Sequence, residues 1–219
     1  MFRMRALHAS ILAFATLTLA QDFNTKIVKD AFNKAHIPKD IGLNFNPTLL
    51  LEVSFPVKNR LPVTVHAGER VPINSTGGPP IFSLLSPSLG IGRHSKDANF
   101  VVVAIDPDAP TPQDPSAAQV RHFLGGDYWP FKLGPFDIST PLLVNTTSAV
   151  SEWLQPAPPE DSDPHRYIFL AFKQPDGFNK QTLVTPETDI LNWDLKDFVD
   201  GVGLGDPIAG TYMLVSFSF

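Results

Sequence analysis

The spacing of apolar residues changes from helical to strand-like near residue 40. Between 24 and 36, Ile27, Val28, Ala31, Phe32 and Ala35 recur at intervals that place them on one helix face, and Pro38 follows as a stop signal. An amphipathic helix is therefore predicted there. From Leu49 to Phe55 the pattern becomes strand-like, and 62–66 and 81–85 read the same way between Pro- and Gly-rich turns. The run Phe100-Val101-Val102-Val103-Ala104-Ile105 is apolar without alternation and rich in β-branched residues, as expected of a strand buried on both faces. Tyr167 to Phe172 is a second such run, and the two are expected side by side at the centre of a sheet. The last ten residues alternate, with Met213, Val215, Phe217 and Phe219 on one face and Tyr212, Leu214, Ser216 and Ser218 on the other. Asp194 before Leu195, Phe198 and Val199 marks a short capped helix closing near Gly201 to Gly205.

The 22 prolines fit ordered loops between strands better than a helical protein, so the expected class is mostly β with a few short peripheral helices. Ahead of this region, Arg3 and Arg5 precede an uncharged stretch from Ala9 to Leu19, then Ala20 and the polar Gln21-Asp22. That is the layout of a secretory signal peptide cleaved near Ala20. The apolar stretch is shorter than the ~20 residues a bilayer span needs. A secreted chain with one domain over 21–219 and no transmembrane segment is expected. Net charge is -5, and removing Arg3 and Arg5 makes it more negative still. With no Lys/Arg cluster, the sequence argues against a nucleic-acid partner. The absence of cysteine excludes thiolate zinc sites and cysteine nucleophiles. In a secreted chain the sequons at Asn74 and Asn145 are candidate glycosylation sites.

The chemistry-bearing residues gather at strand ends. Asp106-Pro107-Asp108-Ala109-Pro110 follows the most apolar strand, and two carboxylates at i and i+2 are expected on one side, with prolines stiffening the exit. Alone, this pentapeptide reads equally well as a turn. Arg121-His122-Phe123-Leu124 and Asp163-Pro164-His165-Arg166-Tyr167 then each put a histidine at the mouth of a strand. Polar strand ends meeting on an apolar wall describe a small-ligand site. There is no G-x-S-x-G elbow and no serine that obviously pairs with either histidine, which argues against a hydrolase. His122, His165 and Asp106 are of metal-ligand type but lack metal-site spacing, so neither metal nor cofactor is expected.

The segments DPDAPTPQDPSAAQVRHFL and PEDSDPHRYIFLAF, with the stretch from Trp193 through Tyr212, resemble the signature regions of the phosphatidylethanolamine-binding family, and the secreted, helix-first layout resembles its fungal members. The resemblance implies a large central antiparallel sheet with a smaller second sheet beside it. It also implies a pocket at the sheet edge for phosphate, a phospholipid headgroup or a carboxylate, lined by Asp106, Asp108, Pro110, His122, Pro159, His165 and Tyr167. Arg166 matches the family's arginine, expected partly buried and paired with a carboxylate. Within this set, ionised aspartates suit orienting the histidines and arginine, and the histidines suit contacting an anion. Ala117 and Val120 stand where many members have aromatics, and Asp163 stands where a glycine is usual. A C-terminal helix like that of animal members is not expected after the last strand, and with these departures a more open pocket is expected.

Three functions follow from the resemblance. The first is a binder of a small anion or lipid headgroup, and the second an inhibitor of a serine carboxypeptidase. The third is a role in fungal secondary-metabolite biosynthesis beside pathway enzymes. There His122 and His165 would serve acid–base cyclising dimerisation of maleic anhydride monomers rather than hydrolysis.

Overall fold

A computed structural model describes Asp22 and residues 24–85, 98–131 and 141–218; the expected signal peptide and Phe219 lie outside the described residues. The predicted first helix is α1 (Thr25–Lys34), capped by the Asn24 side chain accepting from the Lys26 amide at 2.8 Å. Pro38 does not end it. The chain turns through His36 at φ 57° into a second short helix, α2 (Ile37–Asp40), whose first turn holds the proline. A missing N–H is harmless there because first-turn amides have no partner within the helix.

The strands are β1 (Leu50–Phe55), β2 (Val63–Thr64), β3 (Glu69–Arg70), β4 (Ile81–Leu85), β5 (Phe100–Asp106), β6 (Val120–Phe131), β7 (Leu142–Val144), β8 (His165–Lys173) and β9 (Ala209–Val215). Before β9 comes α3 (Leu195–Val202), capped by Asp194 accepting from the Asp197 amide and closed by Gly203 at φ 78°. The two non-alternating runs, β5 and β8, are neighbours at the centre, as their composition requires.

The smaller second sheet is not seen. The described strands form one nine-stranded sheet in the order β2-β1-β4-β7-β6-β5-β8-β9-β3, antiparallel except for the β3–β9 pair. The reason is the length of β6. Its earlier residues pair with β5, while Trp129, Pro130 and Phe131 pair with β7, which passes the ladder on to β4, β1 and β2. The sheet curls at this strand, so what resembles a second layer is its own far arm. Leu51, Val53, Phe82 and Leu84 of that arm share a core with Val102, Ala104, Phe169 and Met213. On the opposite face Val101, Val103, Ile168 and Leu170 pack with Val28 and Phe32 of α1 and Leu195 and Phe198 of α3. With apolar partners on both sides, each such side chain contributes roughly 1.5–3 kcal/mol from burial, and alternation gives no advantage.

Candidate functional site

Strand alternation sorts the polar cluster. In β8, Tyr167, Phe169 and Ala171 face the arm while Ile168, Leu170 and Phe172 face the helices. His165 and Arg166 therefore serve opposite faces, and β5 places Asp106 on the arm side with Val102 and Ala104.

On the arm side, His165 Nδ1 donates to Asp106 Oδ2 at 2.8 Å, both side chains being at most 3 % exposed. The other carboxylate oxygen accepts the Asp108 amide at 2.7 Å. His165 Nε2 lies 2.9 Å from the Ser162 hydroxyl. Burial opposes charge on His165, but the hydrogen bond and charge of Asp106, with Asp108 and the Pro110 carbonyl, outweigh it and raise the pKa above 6.5.

On the helix side, Arg166 is held by Asp108 through Nε at 3.0 Å and Nη2 at 2.7 Å, and its amide donates to the same carboxylate at 2.7 Å. Its Nη1 donates to Asp40 at 2.7 Å and to the Ala35 carbonyl. Despite burial, these two aspartates hold the guanidinium well above its ordinary range. Arg166 and Asp108 border a cleft of about 390 Å³ that reaches Gln119, Asn192 and Trp193.

His122 owes its direction to a break in the β5–β6 register. Arg121 pairs with Ile105 and Phe123 with Ala104, so His122 is an extra residue between two consecutive partners. Such a bulge re-aims a side chain. Arg121 turns to the helix face, where its guanidinium lies 5.1 Å from the Trp193 ring centroid and donates to Ser151 and to the Asp189 and Thr188 carbonyls. His122 turns to the arm side, edge-on to Tyr167 with centroids 5.0 Å apart. Its Nδ1 meets the Leu154 carbonyl at 2.8 Å, and a carbonyl only accepts, so Nδ1 carries the proton. Nε2 then has no partner among the described residues. Burial chiefly, with His165 nearby, keeps the pKa below 6.5 against the Leu154 carbonyl and Asp106. Burial and the Asp106 charge also hold the Tyr167 phenol well above its ordinary range.

Asp106, His122, His165 and Tyr167 thus meet at one end of the central strands. Pro110 and Pro159 are exposed, and the Pro159 carbonyl accepts from the Ser162 amide. Three sequence readings need correction. The two aspartates diverge, because only Asp106 is on the strand; Asp108 lies past it and turns to Arg166. Only His165 is oriented by an aspartate, since His122 is held by a backbone carbonyl. A serine does pair with a histidine: Ser162 stands three residues before His165, a spacing visible in the sequence, but the turn that closes the contact is not. Asp40 was also missed, being 126 residues from its partner.

A family model described as phosphatidylethanolamine-binding protein matches residues 54–213, which include His122, His165, all of β5 to β8 and most of β9. The chain belongs to that family. Among curated relatives, the carboxypeptidase Y inhibitor of Saccharomyces cerevisiae is 26% identical over 191 residues, covering 80% of this chain and 85% of its own. Among solved structures, carboxypeptidase Y inhibitor complexed with its cognate proteinase superposes with a TM-score of 0.69 at 22% identity, over 87% of this chain and 95% of that one. A phosphatidylethanolamine-binding protein from Plasmodium vivax gives 0.65 at 13% identity, over 85% and 96%. At these identities the structures establish a shared fold. No helix among the described residues is long and apolar enough to cross a membrane.

Proposed function

We propose that this chain is a secreted binder of a small anion, taking a phosphate, a phospholipid headgroup or a carboxylate at His122 beside the His165–Asp106 pair. The observation that carries the reading is His122 Nε2, a ring nitrogen on a nearly buried side chain with its other nitrogen committed and no protein partner among the described residues. A neutral His122 accepts a hydrogen bond from a protonated ligand, and a protonated one donates to an anion. Because its pKa is lowered, protonation comes on the acid side of 6.5 and anion affinity grows as pH falls through that range. Calorimetric titration with inorganic phosphate and with acetate between about pH 5 and 8 tests this. Affinity should rise toward pH 5 in the natural chain and stay flat in His122→Gln. A flat profile in the natural chain sinks the reading.

The curated relative supports a second reading, inhibition of a serine carboxypeptidase. It fails if micromolar protein leaves such an enzyme at full rate. Secretion is supported by the leader-like first 20 residues. Glycosylation is supported by the exposure of Asn74 and the half-exposure of Asn145. A mobility shift of the secreted protein on enzymatic deglycosylation, lost in Asn74→Gln with Asn145→Gln, is the check.

A further inference from the structure

We propose that Ser162, His165 and Asp106 form a serine nucleophile that accepts an acyl group from a neutral carboxylic ester, an activity separate from anion binding at His122. Two distances carry it. Ser162 Oγ lies 2.9 Å from His165 Nε2, and His165 Nδ1 lies 2.8 Å from Asp106 Oδ2. This is the order nucleophile, base, orienting carboxylate that defines a serine triad by geometry on unrelated folds. The pair behind the serine is nearly sealed from solvent, while Ser162 itself is half-exposed and reachable.

The hydrogen bonds stay satisfied in either protonation state. When His165 is neutral, Nδ1–H donates to Asp106 and Nε2 accepts the Ser162 hydroxyl proton. When His165 is an imidazolium, Nε2–H donates to Ser162 Oγ, and the hydroxyl turns to the Asp163 carbonyl, also at 2.9 Å. His165 can therefore gain or lose its Nε2 proton without leaving a buried group unpaired, and when that proton comes from Ser162 the resulting Nε2–H donates to the serine oxygen.

The Oγ–acyl bond forms as the ester's carbon–alkoxy bond breaks. The hydroxyl proton passes to Nε2 and from there to the leaving alkoxide. Water then attacks the acyl carbon, gives up a proton through the same nitrogen and releases the carboxylic acid and free Ser162. The developing oxyanion needs a donor. The amide of Asp163, next to the nucleophile, has no acceptor among the described residues. Glu160, Asp161 and Asp163 surround Ser162 in the chain, so a neutral ester is favoured over an anionic one. Ser162 and His165 are the catalytic residues, and Asp106 is a positioning residue.

The titratable and charged groups around His165 are Asp106 and Asp108 from the β5 exit, His122 from β6, and Arg166 and Tyr167 on its own strand. Arg166 is already engaged by Asp108. The aspartates keep His165 charged to higher pH, so the base form, and acylation with it, emerges as pH rises above 6.5.

The test is to incubate the folded protein with p-nitrophenyl acetate across pH and locate acetyl groups by peptide mass spectrometry. Expected are acetyl on Ser162, a rate that climbs with pH, and loss of both in Ser162→Ala, a half-exposed change that leaves the core intact. His165→Gln should slow acylation by about 100-fold or more. Asp106→Asn should move the pH midpoint to lower values, a shift that a merely structural role does not produce. His122→Gln should abolish the pH dependence of phosphate binding, which is read in an assay separate from acetyl transfer to Ser162, so the two proposals fail separately. Acetylation confined to lysines, or nitrophenol release equal in Ser162→Ala, overturns the assignment.

Discussion

Arg166 is shared by two carboxylates in different surroundings, and the contrast yields a quantitative prediction. The Asp108 side chain is 3% exposed and the Asp40 side chain 35%. Asp108→Asn keeps the shape but removes the charge and turns one acceptor oxygen into a donor facing the Arg166 donors. Removing one partner of a buried pair costs about 3–5 kcal/mol, because the other charge is left uncompensated. Arg166 is itself 18% exposed and keeps Asp40 and the Ala35 carbonyl, so the loss expected is about 2–4 kcal/mol. Asp40→Asn breaks a half-exposed pair and should cost about 0–1 kcal/mol. Urea unfolding at unchanged m separates the two. In Asp108→Asn combined with Arg166→Met, part of the loss should return, since the orphaned charge is gone. Equal losses for the two aspartates, or under about 1 kcal/mol for Asp108→Asn, would refute the assignment of Asp108 as the buried anchor.

The two histidines should move stability in opposite directions with pH. His122, with its pKa lowered, costs stability as pH falls below 6.5 toward its folded value. His165, with its pKa raised, stabilises fully below 6.5 and loses that contribution as pH rises through its folded value. Thermal unfolding of His122→Gln should therefore show a flatter acid limb than the natural chain. Gly210→Ala puts a Cβ 2.9 Å from the Phe169 carbonyl oxygen, which is backbone and cannot swing aside, so a loss of about 1–3 kcal/mol in urea unfolding is expected. Thr211 Oγ1 is buried without a hydrogen-bond partner, so Thr211→Val should be neutral or stabilise by up to about 1 kcal/mol by the same measure.

Legibility of the fold followed burial. β5 and β8 stand out in the sequence because a strand covered on both faces has no polar positions, and β4 matches its expected span because turn residues bound it on both sides. β3 and β7, of two and three residues, are too short to leave a pattern. β6 was visible only at its start, since Gly125, Gly126 and Pro130 interrupt its apolar run. That gap hid the curl, and with it the fact that the arm belongs to the main sheet. In the site, residue types at strand mouths were legible. The partner of each was not, because a one-residue bulge and a two-faced strand decide where His122 and Arg166 point.

That two-faced arrangement ties the His165–Asp106 pair to the helix layer. His165 and Arg166 are consecutive, so fixing one fixes the backbone of the other, and both are fixed from the β5 exit: Asp106 takes the histidine and Asp108 the arginine. The two aspartates are joined through the Asp108 amide on Asp106 Oδ1, which closes the loop of hydrogen bonds. Arg166 then carries the constraint to the last turn of α1 and to α2 through Ala35 and Asp40. A histidine so held keeps its Nδ1 proton on Asp106 and its direction, while Nε2 stays open to proton exchange with Ser162. His122, outside the loop and held by one carbonyl, is the histidine whose Nε2 has no partner among the described residues.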